Sequence, residues 1–198
     1  MPTPDVDVDA ILAVLDRHGV EYVVIGGFAA ELYDVAIPPT RDIDITPSME
    51  LENLTRLADA LVELDARFRV VDGPREGFEI PNGITAEWLA SMITVTFTTS
   101  AGPFDVCLRP AGIEGFDHLI LNRQTLSYGD WAVPVAGLED VIMSKEALGR
   151  EKDLLVIPAL RAHLARRRRQ LGIDEDVLQV PADFDEPLPQ DVQGDFDR

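Results

Sequence analysis

The chain has 198 residues, enough for one ordinary domain or a core domain with a small helical appendage. Its apolar fraction of 46% supports a sizeable core, while 36 acidic residues against 17 basic ones give a formal charge of −19. That balance argues against a general nucleic-acid coat, because phosphate binding draws on Lys and Arg, and suits a cationic small acceptor or a basic protein partner. Cys107 is the only cysteine, so no internal disulfide can form; it lies in the apolar run from Phe104 to Leu108 and reads as a buried, inert thiol. The acidic N-terminal segment lacks the regions of a signal peptide, and no apolar run approaches about 18 residues. The expected location is the cytoplasm, with no membrane partner.

In chain order, residues 5–18 read as a helix, with Ile11, Leu12 and Leu15 at helical spacing and Gly19 placed to end it. Residues 20–25 form a β-branched and aromatic run of strand length that meets Gly26-Gly27 and a short helix. Pro38-Pro39 breaks the chain before Arg41, and residues 42–46 read as a second strand. Ser48 is placed to cap a long amphipathic helix over 49–66, with Leu51, Leu54, Leu57, Leu61 and Leu64 on its apolar side. A Gly/Pro-marked loop covers 72–83. Residues 93–99 and 104–108 are strand-like runs around a Ser-Ala-Gly-Pro turn, and 124–128 with 131–135 flank Gly129-Asp130 as a hairpin. Residues 138–148 are helical, as is the chain from Glu151, with Pro158 placed near the start of a further helix. The pattern predicts an α/β (α+β) fold: a small mixed sheet flanked by helices, with a helical C-terminal part. The expected organisation is a core over 1–136, a helical part over 137–173 and an acidic, Pro-containing tail over 174–198.

The chemistry gathers in two places. Glycines between a strand and a helix let backbone N–H groups approach an oxyanion, although a tight turn alone would also call for glycine. Asp42 and Asp44 stand at i and i+2 of a strand, so both carboxylates leave one face while Ile43 and Ile45 enter the core. Two such carboxylates repel unless a cation lies between them, and hard oxygen ligands suit Mg²⁺.

Together, the strand, Gly-Gly turn, short helix, fourteen intervening residues and Asp-Ile-Asp-Ile resemble the signature of the DNA polymerase β-like nucleotidyltransferase superfamily. The resemblance implies a polymerase β-like fold and a third carboxylate from a nearby strand, for which Asp105 in Phe104-Asp-Val is the match. Ile25-Gly-Gly-Phe-Ala-Ala, Thr40-Arg-Asp-Ile-Asp-Ile, Phe104-Asp-Val and the segment from Leu138 through Lys145, Arg150 and Asp153 to Leu154 follow in order over roughly residues 10–165. This looks like the minimal nucleotidyltransferases that include toxins of toxin–antitoxin pairs, the AbiEii and MenT kinds. In these a lysine and a later aspartate join the carboxylate pair, positions held here by Lys145 and Asp153. Many relatives carry Gly-Ser at the turn; here Gly27 replaces the serine, removing a hydroxyl contact to phosphate.

The resemblance implies NMP transfer from an NTP, with Asp42, Asp44 and Asp105 holding two Mg²⁺ ions (Mn²⁺ as a substitute). Gly26, Gly27, Arg41, Lys145 and Arg150 would hold the nucleotide, and Asp42, Asp44, Asp105, Lys145 and Asp153 would form the catalytic set. The implied acceptor is a tRNA 3′ end, with a cognate antitoxin protein as partner and no role for DNA. Arg161 and Arg166, Arg167, Arg168 and Arg169 make a basic collar that reads equally as an RNA-phosphate contact or as a solvated helix end. The acidic tail could fold back onto that collar. His18, His118 and His163 lack metal-ligand spacing, and Trp88 and Trp131 read as core residues. The competing functions are an antibiotic nucleotidyltransferase of the aminoglycoside-modifying type and a catalytically silent binding module of the same fold.

Overall fold

The computed structural model describes residues 6–168 except 71, 72 and 75. It divides into two units, Met1–Leu164 and Ala165–Arg198; the second contributes only the last residues of its final helix to the described part. The helices are α1 (Val8–Arg17), α2 (Gly26–Leu32), α3 (Leu51–Glu63), α4 (Ala86–Ala90), α5 (Phe116–Asn122), α6 (Leu138–Leu148) and α7 (Glu151–Arg168). The strands are β1 (Tyr22–Ile25), β2 (Ile43–Pro47), β3 (Arg67–Phe68), β4 (Thr94–Thr99), β5 (Gly102–Cys107), β6 (Gln124–Tyr128) and β7 (Trp131–Val135). Among the described residues they form one mixed sheet in the order β3-β4-β5-β2-β1-β7-β6.

The centre of that sheet follows from strand chemistry. β2 runs antiparallel to β1 and parallel to β5, placing Ile25 opposite Asp44 and Asp44 opposite Asp105. Side chains alternate across a strand, so Ile43, Ile45, Phe104 and Val106, all fully buried, share the face opposite the two aspartates. The core joins them to Ile11 and Leu15 of α1, to Leu54, Leu57 and Leu61 of α3, and to Phe97 of β4. Trp88 packs its ring against Phe97, and Trp131 donates its indole N–H to Asp9 at 2.9 Å, so both tryptophans have structural partners.

Several local expectations change. Ser48 does not cap α3: the helix begins at Leu51 without a side-chain cap. Fully buried Asn53 ties this corner together instead. Its Oδ1 accepts from the Glu21 backbone N–H at 2.7 Å, and its Nδ2 donates to the carbonyls of Glu21 at 2.9 Å and Ser48 at 3.0 Å. Pro158 lies inside α7 rather than at the start of another helix. The short elements β3, α4 and α5 were not expected, and β3 extends through a bridge from Phe68 to Phe78 into the loop. The acidic tail, and its folding back onto the arginines, lie outside the described residues.

Replacing Asn53 with Ala leaves three backbone groups without their side-chain partner, the Ser48 carbonyl among them buried. The expected cost is about 2 kcal/mol of stability, seen as a lower urea midpoint with an unchanged slope.

Candidate active site

The row across the sheet builds the site. From β1 outward, Ile25, Asp44, Asp105 and Thr96 are successive cross-strand neighbours, and Arg69 continues the row by hydrogen-bonding its backbone N–H to the Thr96 carbonyl at 2.9 Å. The Thr96 hydroxyl answers by donating to the Arg69 carbonyl at 2.7 Å. Asp44 and Asp105 therefore face the same side, with Asp42 two residues before Asp44. Burial, followed by the negative charges of Asp42 and Asp105, pushes the Asp44 carboxyl up to about 7, against the opposing pull of Lys145 and Lys152. Burial likewise raises Asp105 to about 6; Arg69 lowers it and Asp42 raises it.

Gly26 meets this row at its β1 end. Its φ is +71°, and a Cβ there would fall 2.2 Å from Asp44 Oδ2, so both backbone shape and space require glycine. Beside it, Thr40 donates its hydroxyl to Asp42 Oδ1 at 2.8 Å, and its backbone N–H bonds to Glu31 Oε1 of α2. Arg41 is exposed at the same loop.

A second set comes from the α6–α7 junction, where Gly149 closes α6 in the left-handed conformation at φ 61°. Asp153, only 2% exposed, accepts from Lys145 Nζ at 3.2 Å on one oxygen and from Arg150 Nε at 2.5 Å on the other. Burial alone would raise its carboxyl, but the hydrogen bonds from Arg150 and Lys145 overcome this and hold it below the usual carboxylate range. The charges of Lys145 and Lys152 act on Asp44, and that of Lys152 also acts on Asp105, which joins this junction to the carboxylate row.

Sequence reasoning missed Arg69 as a partner of Asp105, with Nη2 2.8 Å from Oδ1, and Lys152 as a cation acting on both carboxylates. Arg69 follows a two-residue edge strand beside an irregular loop and carries no periodic signal; Lys152 was legible only as one cation in a charged helix end.

The structure describes only part of the arginine collar. Arg161 is paired with Glu146 of α6 at 2.5 Å. Arg166 and Arg167 are exposed, the side chain of Arg168 is outside the described part, and Arg169 lies outside the described residues. Cys107 is partly buried, with its sulfur 3.2 Å from the Thr94 hydroxyl, and burial pushes its thiol up, away from reactivity. His118 bonds Asp140 at 3.0 Å and His18 bonds Glu63 at 2.7 Å, giving both rings structural partners. Asp140 and Gly26 also line a small cavity of about 10 Å³ with Ser144 and Leu119.

Among the described residues no three metal-binding side chains are already gathered into ligand geometry, and Asp105 has one oxygen committed to Arg69. The donor chemistry nevertheless fits a divalent cation, because clustered carboxylates with raised proton affinity are what such an ion neutralises.

No protein-family model matches the chain, and no curated protein matches it significantly. Solved structures do. The lincomycin-bound lincosamide antibiotic adenylyltransferase LnuA aligns at 15% identity over 80% of this chain and 99% of that one, with a TM-score of 0.54. A candidate nucleotidyltransferase from Thermotoga maritima aligns at 17% identity over 81% and 91%, TM-score 0.47, and the antibiotic-resistance factor ANT(2'')-Ia at 15% over 81% and 92%, TM-score 0.43. The likeness to LnuA shows that this chain has a nucleotidyltransferase fold. The resemblance to toxins rests on the sequence alone.

The raised carboxyls have a stability consequence. Between the unfolded value of 3.8 and the folded values of about 7 and about 6, the folded chain binds more protons than the unfolded one. Stability from these groups is therefore lost as pH rises through that window and stays low above it. In EDTA, Asp44→Asn should be more stable than the parent by about 2 kcal/mol above pH 7, the difference vanishing toward pH 4; urea unfolding at several pH values measures it.

Proposed function

We propose that this chain is a Mg²⁺-dependent nucleotidyltransferase that moves a nucleoside monophosphate from an NTP to an acceptor hydroxyl, releasing pyrophosphate. The observation that carries this reading is the cross-strand row of Asp44 and Asp105, bounded at one end by Gly26 and acted on by Lys145 and Lys152. The LnuA-like fold supports it.

Asp42, Asp44 and Asp105 would hold the metal, which when bound activates the hydroxyl and stabilises the leaving pyrophosphate. The other roles belong to the chain's own groups. Gly26 and Gly27 allow the triphosphate to approach the backbone. Lys145, its ammonium oriented by buried Asp153, and Arg150 on the same carboxylate supply positive charge for the phosphates. Lys152 adds a further cation on the carboxylate side, and Arg41 stands exposed at the entrance. Arg69 holds one oxygen of Asp105, leaving the other to take the acceptor's proton.

For the acceptor, a small hydroxylated molecule is the reading the features favour. The chain carries a charge of −19, Arg161 is already paired with an acid, and LnuA, whose fold it shares, is an antibiotic adenylyltransferase bound to lincomycin. A second reading, a tRNA 3′ end modified by a toxin held in check by an antitoxin, is supported by the order and spacing of Lys145, Arg150 and Asp153.

Labelled NTPs and Mg²⁺, offered with a panel of lincosamides and aminoglycosides or with total tRNA, separate these acceptors. Asp42→Asn and Asp44→Asn should each lower transfer by at least about 10³-fold with the circular dichroism spectrum unchanged, and Lys145→Ala by about 10²-fold. Full activity in Asp44→Asn would sink the assignment.

A further inference from the structure

We infer that Thr40 is a nucleotide-binding residue, its hydroxyl supplying the one side-chain hydrogen bond to the triphosphate at the Gly26-Gly27 turn. The inference rests on the proposed nucleotidyl transfer and supplies the hydroxyl that Gly27 removes from the sequence pattern there.

The two glycines are glycine for different reasons. Gly26 has a left-handed backbone; Gly27 does not, so residue 27 could carry a side chain without backbone strain. Space is what forbids it. A Cβ on residue 27 would lie 2.8 Å from the Thr40 hydroxyl oxygen and 3.0 Å from the Thr40 Cβ. Thr40 thus fills the place that a side chain at 27 would take, and it brings a hydroxyl there.

That position is held from two sides. The Thr40 backbone N–H is tied to Glu31 in the helix that starts with the two glycines, so the loop before Asp42 is strapped across the turn. The hydroxyl proton points to Asp42 Oδ1 at 2.8 Å, linking the turn to the carboxylate row. A hydroxyl has one proton to donate. When a cation takes Asp42 Oδ1, the hydroxyl is free to rotate and donate its hydrogen bond to another anionic oxygen, and at this turn the proposed occupant is a phosphate.

The test uses the full chain and the binding of a non-hydrolysable ATP analogue with Mg²⁺, by calorimetry. Thr40→Val keeps the shape and removes the hydroxyl; its Kd should rise about tenfold, the loss expected for a hydrogen bond to a charged group, whereas Thr40→Ser should stay within about threefold of the parent. Gly27→Ser should weaken binding because it collides with Thr40, and the double variant Gly27→Ser with Thr40→Gly, which returns a hydroxyl from the other side, should recover most of the affinity. Two controls separate phosphate binding from mere orientation of Asp42: adenosine affinity, and Mn²⁺ affinity by electron paramagnetic resonance without nucleotide, should not change in Thr40→Val. An equal Kd in Thr40→Val, or a matching loss of Mn²⁺ affinity, overturns the role of Thr40 alone. If the parent binds neither ATP nor GTP analogues, the nucleotidyltransferase reading and this inference fall together.

Discussion

Repulsion among three carboxylates is the constraint around which this molecule is arranged. Sheet register leaves no freedom in the matter: once β2 pairs with β5 in parallel, Asp44 and Asp105 are neighbours on one face, and Asp42, in the bend just before β2, adds its charge to both. The surrounding structure answers with cations at different distances. Arg69 bonds Asp105 directly, while Lys145 and Lys152 act across space on Asp44. Neither answer is complete, since both carboxyls still sit well above the ordinary range. A fold selected for stability alone would replace one of these acids; retaining all three fits the proposed site, which would receive a cation with its substrate.

Asp153 shows the opposite solution. It is only 2% exposed, yet it is held ionised by two cationic donors, one on each oxygen. Removing Asp153 would leave the mostly buried Lys145 ammonium without its acid, whereas Arg150 is half exposed and can turn to solvent. Its effect on the site is positional. Lys145 has a long, flexible side chain that would otherwise sample many rotamers; bonding to a buried acid from the next helix restricts it to the side from which its charge reaches Asp44. The left-handed Gly149 makes this possible by turning the chain sharply enough for α7 to present Asp153 to α6.

Much of this was legible in the residues because periodicity and chemistry agreed. The Asp-Ile-Asp-Ile alternation gives β2 its two faces without reference to anything distant, and the strands around Gly26, Asp105 and Gly129 lie within a few residues of where turn chemistry puts them. What was not legible has tertiary causes. The end of α3 is organised by Asn53 reaching Glu21, a contact across 32 positions that no local capping rule contains. Pro158 is accommodated within α7, where local propensity predicted an interruption. Arg69 enters the site only because a two-residue strand pairs with β4. The arginines read as a basic collar around a helix, yet Arg161 pairs with an acid on α6 that the sequence does not reveal.

The Gly-Gly turn gains the most from the structure, because its two glycines do separate work. A glycine pair between strand and helix suggests a bare backbone cradle, in which both positions are small so that phosphate can come close. The distances give a different account. Gly26 is small so that Asp44 can stand where a side chain would be, and Gly27 is small so that Thr40 can. Each glycine makes room for a functional group carried by another part of the chain: a carboxylate from β2 and a hydroxyl from the loop before it. The fourteen residues between the turn and Asp42 are then more than a spacer, since their last members return over the turn and are fixed there by Glu31. Pattern reading treats the turn and the aspartate pair as two motifs at a set distance; physically they form one packed unit, and a change in either must be matched in the other.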